Sequence, residues 1–251
     1  MIFDSHTHTK FSADSKMKAV DAIARAESLN FGLVFTEHFD YDMEGFNFVA
    51  AEYMDEYKKF RGEKLRLGVE VGMTKTAREA SKNFVLSADF DQVIGSIHTI
   101  DGEDIYIKEF FEGKEKFSVY TKYFQVMAQE AAVNDFDVLG HIDYICRAAT
   151  YDDTSIDYDT FKAEIDNVLK IIVEREKVLE LNTRRLRHKK VFDELKPVYT
   201  SYKNFGGKYV TIGSDAHRAE VIGDHFQAAL DFVQEIGLTP VTFCQRKIEK
   251  F

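Results

Sequence analysis

The sequence has only two prolines and no stretch rich in Pro and Ser. Such stretches make the stiff or solvated linkers that separate domains, so their absence favours one folded unit over residues 1–251. Cysteine is equally scarce. Cys146 and Cys244 make no disulfide framework, and free thiols in a cytoplasmic protein are expected. No apolar run is long enough to span a membrane, and no signal-peptide pattern is read. Positive charge is in deficit, with 33 Lys and Arg against 43 Asp and Glu, a net of −10. Phosphate backbones attract positive surfaces, so this balance argues against broad nucleic-acid binding. It does not exclude a small phosphorylated substrate, because bound cations reverse the local sign. There is also no Gly-x-Ser-x-Gly elbow, no Gly-x-x-x-x-Gly-Lys phosphate loop and no solenoid repeat.

The remaining composition, 45% hydrophobic and 30% charged, suits a soluble core, and the length suits one α/β barrel. Apolar runs alternate with helical patterns. Strands are expected over 31–38, 65–72, 90–98, 136–141, 177–182 and 209–217, with a first strand before His6 and a short last one at 241–244. Helices are expected over 17–29, with Val20, Ile23, Ala24 and Ala26 on the inner face, then through Tyr57 and Phe60. Further helices are expected over 74–83, from a Ser118 cap to Val133, over 158–174, from a first turn at Pro197 to Gly206-Gly207, and over 223–236. Such alternation makes a parallel sheet, closed or open.

Chemistry clusters at the strand ends. His6 and His8, two apart in an extended chain, face the same way. His38 ends the second strand and Glu70 lies inside the third, where a carboxylate is costly unless paired or metal-bound. His98 and His141 end the next two, and Asp215 and His217 the seventh. Asp14 follows His8 as either an N-cap or a ligand. Residues at one strand end after another favour a barrel, where active sites gather at the C-terminal ends of the strands. Six imidazoles and three carboxylates exceed what one tetrahedral zinc needs. Two or three divalent ions fit better, and mixed N/O donors suit zinc, iron or manganese alike. Such a cluster can turn water into hydroxide at neutral pH. The run Arg184, Arg185, Arg187, His188, Lys189, Lys190 follows a strand, where guanidinium groups suit phosphate. Arg147 and Arg218 are further candidates.

Together Asp4-Ser-His-Thr-His8, Thr36-Glu-His38, Gly68-Val-Glu70, Gly95-Ser-Ile-His98, Gly140-His141 and Gly213-Ser-Asp-Ala-His217 resemble the polymerase-and-histidinol-phosphatase (PHP) superfamily. Phe11-Ser-Ala-Asp14-Ser-Lys, Gly140-His-Ile-Asp143 and Glu180-Leu-Asn-Thr183 are similar to its stand-alone histidinol-phosphate phosphatases. The resemblance implies a distorted (β/α)7 barrel of the TIM-like type with a trinuclear centre. His6, His8, Glu70 and Asp215 would hold one ion. Glu70 would bridge to a second on His98 and His141, and Asp14, His38 and His217 would hold a third. It implies in-line hydrolysis of L-histidinol phosphate in histidine biosynthesis, by a metal-bridging hydroxide, with Asp14, Asp215 and His217 in catalysis. Arg147, Asn182, Arg184, Arg187 and Arg218 would meet the phosphate end. Glu37, Asp143 or Tyr144 would meet the amine and imidazole. Arg185 stands where relatives often carry Gly, which questions the local turn. Other readings are a PHP phosphodiesterase or nuclease acting on nucleotides, and a non-catalytic metal-stabilised binding domain. Oligomeric state is not legible.

Overall fold

The computed structural model describes residues 1–251. Its elements run β1 (Phe3–Thr7), α1 (Ala19–Leu29), β2 (Gly32–Phe39), α2 (Ala50–Tyr57), β3 (Leu65–Gly72), α3 (Arg78–Leu86) and β4 (Val93–Ser96). A two-stranded hairpin, β5 (Thr99–Ile100) and β6 (Glu103–Asp104), follows. Then come α4 (Lys116–Ala131), β7 (Val138–Leu139), α5 (Lys162–Glu174), β8 (Val178–Asn182), α6 (Lys189–Asn204) and β9 (Tyr209–Gly213). The chain ends with α7 (Phe226–Ile236), β10 (Thr239–Cys244) and β11 (Lys247–Lys250).

The main sheet has the order β1-β2-β3-β4-β7-β8-β9-β10-β11. Every pair from β1 to β10 is parallel. Parallel strands joined by helical crossovers are covered on both faces, and the first three strands are accordingly buried along almost their whole length. The sheet curls until its first and seventh parallel strands meet. Thr7 bridges to Ala216, Asp215 N donates to His6 O and His8 N donates to Ala216 O, both at 2.8 Å. This junction lies at the C-terminal ends of the strands and draws the first and last motifs of the sequence together. At the opposite end, β10 lies beside β9 instead, through Thr239↔Tyr209 and Pro240↔Val210. That is the distortion of the (β/α)7 barrel.

Several local expectations change. Helix α1 buries Ala19, Ala22 and Ala26, while Val20 is 57% exposed and Ala24 is also outside. Small side chains at i, i+3 and i+7 let the helix lie close to the sheet. Ser118 is no cap, because α4 has already begun at Lys116. Pro197 sits inside α6, not in its first turn. It lies on the exposed face, where water can satisfy the carbonyl that loses its N–H partner. Val191, Leu195, Val198 and Tyr199 form the buried face. The hairpin partner β11, exposed along its length, has no apolar pattern to announce it.

Candidate metal centre

Glu70 stands at the middle of the C-terminal face and is fully buried. Its two oxygens look in different directions. Oε1 lies 2.9 Å from His141 Nε2 and 3.2 Å from His98 Nε2, and accepts from Ser96 Oγ at 2.6 Å. Oε2 lies 3.1 Å from His6 Nε2, 3.1 Å from His38 Nδ1 and 3.5 Å from His8 Nε2. Asp215 Oδ1 closes the first group, 3.2 Å from His8 Nε2 and 3.8 Å from His6 Nε2. Asp14 Oδ2 lies 3.0 Å from His217 Nε2 and 3.8 Å from His38 Nε2. The expected ligands, scattered from residue 6 to residue 217, therefore converge.

The outer ring nitrogens explain why these donors face inward. His6 Nδ1 donates to Glu180 Oε1 at 2.6 Å and His98 Nδ1 to Asp40 Oδ1 at 2.8 Å. His8 Nδ1 donates to Ser12 Oγ at 3.0 Å, which in turn donates to Glu37 Oε2 at 2.7 Å. His217 Nδ1 donates to the Asp215 carbonyl at 2.9 Å. A proton fixed on Nδ1 leaves a lone pair on Nε2, and such outer partners commonly orient metal-binding histidines. The Nε2 atoms of His8, His98 and His217, with Nδ1 of His38 and of His141, have no well-formed hydrogen bond although buried. Buried polar atoms without partners are costly. A cation would satisfy all of the inward ones.

Charge tells the same story. Burial alone would neutralise Glu70, yet the imidazoles of His6, His98 and His38 hold it well below the usual carboxylate range. Asp215 is also held low against burial, by Arg147 and His6. Burial opposes a proton on His6, but Glu180, Glu70 and Asp215 outweigh it and push that imidazole well up. His98 is pushed up to about 10, against burial, by Asp40 and Glu70. His8, desolvated and crowded by His38 and His217, is pushed well down. The field favours cations at the centre.

Four sets of donor atoms lie within 4.8 Å of one another: His6/His8/Asp215, His38/Glu70/His98, His8/His38/His217 and His6/His141/Glu180. The sets overlap through His6, His8 and His38, so the donors form one continuous cluster. In the last set Glu180 is already engaged by His6 Nδ1, and its Oε2 accepts from His141 N at 2.7 Å. Its position is that of an orienting carboxylate. Gly213 has no side chain because a Cβ there would collide with His6 and Glu180.

The residues present thus fit a cluster of divalent ions. Comparison with known proteins agrees. Residues 4–184 match the PHP domain family. A probable histidinol-phosphatase of Clostridium acetobutylicum is 44% identical over 98% of this chain and 98% of its own length. The chain belongs to the PHP family. A histidinol-phosphatase of Lactococcus lactis subsp. lactis is 30% identical, over 98% of this PHP chain and 96% of its own. A crystal structure of histidinol phosphate phosphatase from Lactococcus lactis subsp. lactis, complexed with zinc, L-histidinol and phosphate, shares 28% identity. It aligns with a TM-score of 0.93 over 99% of both chains. An archaeal ribonuclease P structure with mature tRNA aligns at a TM-score of 0.53 and 13% identity, over 92% of this chain and 81% of its own, a likeness of fold alone.

Above the centre of the PHP chain is a pocket whose walls include Arg147, Arg184, Tyr106, Tyr144, Met43 and Phe46. Arg147 is buried, donates to Asp215 Oδ2 and to Asn182 Oδ1, and lies 4.9 Å over the Tyr144 ring. Arg184 reaches in from β8's loop, 3.5 Å from Asp215 Oδ2, with 41% of its side chain exposed. Tyr144 packs on His141 and His98 with ring centroids 4.7 and 4.9 Å apart.

Five expected substrate contacts lie elsewhere. Glu37 lies beneath the site, where its oxygens accept from Thr9 N, Thr9 Oγ1 and Ser12 Oγ. Asn182 is buried and holds Arg147 and the Arg184 backbone instead of facing the pocket. Arg187 and Arg218 line a neighbouring cavity. Asp143, also considered for the amine, is taken by Arg185 at 2.7 Å. Arg185 has no positive φ, so Gly is not required there. Its guanidinium clamps Asp143 to Glu194, tying the Arg147 loop to the Arg184 loop.

Asp40, Glu180 and Ser12 were not expected at the site. A signal existed for Glu180: a carboxylate inside Val178-Leu-Glu-Leu is as costly as Glu70 in its own strand. Asp40 lies two residues beyond His38, on the same side of an extended chain.

Proposed function

We infer that this PHP chain is a histidinol-phosphate phosphatase, hydrolysing L-histidinol phosphate to L-histidinol and inorganic phosphate. The observation that carries this reading is the correspondence, over 99% of both chains, with a phosphatase structure that holds zinc, L-histidinol and phosphate. Two or three divalent ions, zinc, iron or manganese, would supply Lewis acidity and an activated water. His6, His8, Glu70 and Asp215 are assigned to one ion, His98 and His141 with Glu70 to a second, and Asp14, His38 and His217 to a third. We assign this chain's product to histidine biosynthesis. No helix is long and apolar enough to cross a membrane, and we place the enzyme in the cytoplasm as one folded unit.

The chain's own groups account for the rest. Arg147 is held by Asp215 and Asn182 before substrate arrives. A fixed cation stabilises developing phosphoryl charge without reorganising. Arg184, longer-reaching and half-exposed, meets the phosphoryl group as it enters. Tyr106 and Tyr144, with ring centroids 5.8 Å apart, give the alcohol half an aromatic wall beside Asp104, which suits a cationic amine and imidazole. The departing alkoxide needs a proton. Asp14 is held down at about 2, against burial, chiefly by its hydrogen bond with His217. Asp14 and His217, paired at the pocket wall, are the groups placed to help supply that proton. An ion bound to His217 Nε2 excludes that role, so the number of ions per chain decides between the two.

The test is phosphate release from L-histidinol phosphate by metal-analysed protein, beside a nucleotide diester and an Asp215→Asn control. Preference for histidinol phosphate that collapses in the control is the expected result. Diester cleavage with histidinol phosphate inert would replace the substrate and keep the centre. Bound metal without turnover of any phosphoester would leave a metal-stabilised binding domain.

A further inference from the structure

A second cavity, of about 310 Å³, adjoins the metal centre and shares Arg184, Asp215 and His217 with it as a common wall. Its other lining includes Thr183, Arg187, Arg218, Asp224 and His225. The balance there is cationic, because Asp215 is already answered by Arg147 and His8, leaving Asp224 against the guanidinium groups. Arg187 uses only its Nε within the protein, toward His188 Nε2, and Arg218 lies exposed without an ion pair. The Thr183 hydroxyl is the telling group. Thr183 is 1% exposed, lines the cavity, and its Oγ1 has no partner. A buried hydroxyl left unpaired destabilises the fold unless something answers it. Helix α7 also opens here at His225, its N-cap, and has no acidic residue in its first turn. The partial positive charge of its N-terminus therefore faces only Asp224, the residue before the cap.

We propose that this cavity is a second anion site, which takes inorganic phosphate next to the place where it is formed. Guanidinium groups bind phosphate oxygens in pairs. The other product carries an amine and an imidazole but no anionic group, so the same charges repel it. The two products are thereby sorted, phosphate toward Arg187 and Arg218 and the alcohol along the Tyr106 and Tyr144 wall. The source of the phosphate rests on the phosphatase reading, whereas the existence of the site does not.

The experiment is a calorimetric titration of metal-loaded protein with inorganic phosphate, free of substrate. Two phosphates per chain are expected for the unchanged protein and one for Arg187→Gln/Arg218→Gln. Arg218→Lys should keep the second, and Arg218→Glu should weaken it about tenfold or more, roughly the effect of losing one charge-assisted contact. Melting temperature and bound metal, measured on each variant, separate loss of the site from loss of the fold. One phosphate per chain in the unchanged protein overturns the proposal. So does a second phosphate that survives both Arg187→Gln/Arg218→Gln and Arg218→Glu. A chain that binds two phosphates but releases none from L-histidinol phosphate would keep this site and lose the substrate proposed above.

Discussion

At the N-terminal end of the barrel, Asp91 accepts from Leu67 N, Gln245 N and the Arg61 guanidinium, all between 2.8 and 3.0 Å. At the C-terminal end, Glu70 is just as buried, but among the imidazoles around it His8, His38 and His98 turn inward nitrogens toward it that lack well-formed bonds. Asp137 repeats the first pattern, accepting from Val93 N at 2.9 Å and from Arg246 at 3.0 Å. Asp215 repeats the second. Both ends bury charge. At one end each charge is neutralised by the chain itself and closes a loop onto the sheet. At the other it is left over, and the surplus is what binds ions. Completeness of partnering, more than burial, separates the structural end from the chemical one.

The sharpest way to break this comparison is to exchange the consequences of removing a carboxylate at each end. Asp215→Asn should lower phosphate release by at least about a thousandfold, the scale of losing a preorganised charge at a reacting centre, in a chain that still folds by circular dichroism. Asp91→Ala should do the reverse. It strands the Arg61 guanidinium and two backbone N–H groups, and about 3–5 kcal/mol of stability should go, read by denaturant unfolding. The folded fraction should keep kcat/KM within about twofold.

Acid sharpens the contrast, because the two ends respond for different reasons. In the metal-free centre, His6 and His38 are held well up by neighbouring carboxylates despite burial, and His98 up to about 10. Below those values each imidazole carries a proton that an incoming ion must displace. Metal affinity, measured by competition with a chelator from pH 8 to pH 6, should therefore fall as pH falls, by up to about tenfold per unit for each proton released. A flat profile would contradict the assignment. At the other end, Arg246 holds Asp135 below the ordinary value of 3.8. A depressed carboxylate stabilises the fold above its unfolded pKa and loses that contribution as pH falls through the folded one. Acid should therefore weaken this end only below about pH 4.

Smaller effects lie between the ends. Arg185→Gly removes the clamp on Asp143 and Glu194 and should cost about 1–3 kcal/mol, with KM rising more than kcat falls because the Arg147 and Arg184 loops come apart. Arg185→Lys should recover part of the stability and less of KM, since an ammonium cannot span both carboxylates as a planar fork does. Arg246→Ala removes the cation shared by exposed Asp135 and buried Asp137 and should cost about 1–3 kcal/mol, but leave KM alone.

The converging donors were legible because period-2 alternation and strand-end placement are local properties. His6, His8, His38, Glu70, His98, His141 and Asp215 announce themselves wherever a strand stops. Their outer partners were harder to see. Asp40 and Glu180 differ from any other buried carboxylate only through what faces them across the barrel. The places of Glu37 and of the separate arginines were hidden for the same reason. Glu37 is next to His38 in sequence, but successive residues of a strand point to opposite sides, and that turns Glu37 down toward Thr9 and Ser12. Among the arginines, equal chemistry concealed different destinations. Arg147 and Arg184 reach the centre, Arg185 makes a clamp, and Arg187 and Arg218 face the next cavity.

By itself the sequence determined the alternation of strand and helix, the strand ends that carry imidazole and carboxylate, and the family. These depend on side-chain periodicity and residue type, which the order of residues states outright. Only the tertiary structure decided which carboxylate orients which ring, which guanidinium is free, and that Thr183 faces a cavity without a partner. Those are contacts between segments remote in sequence, 58 residues apart for Asp40 and His98 and 174 for His6 and Glu180. They exist only because the sheet curls until β1 meets the end of β9.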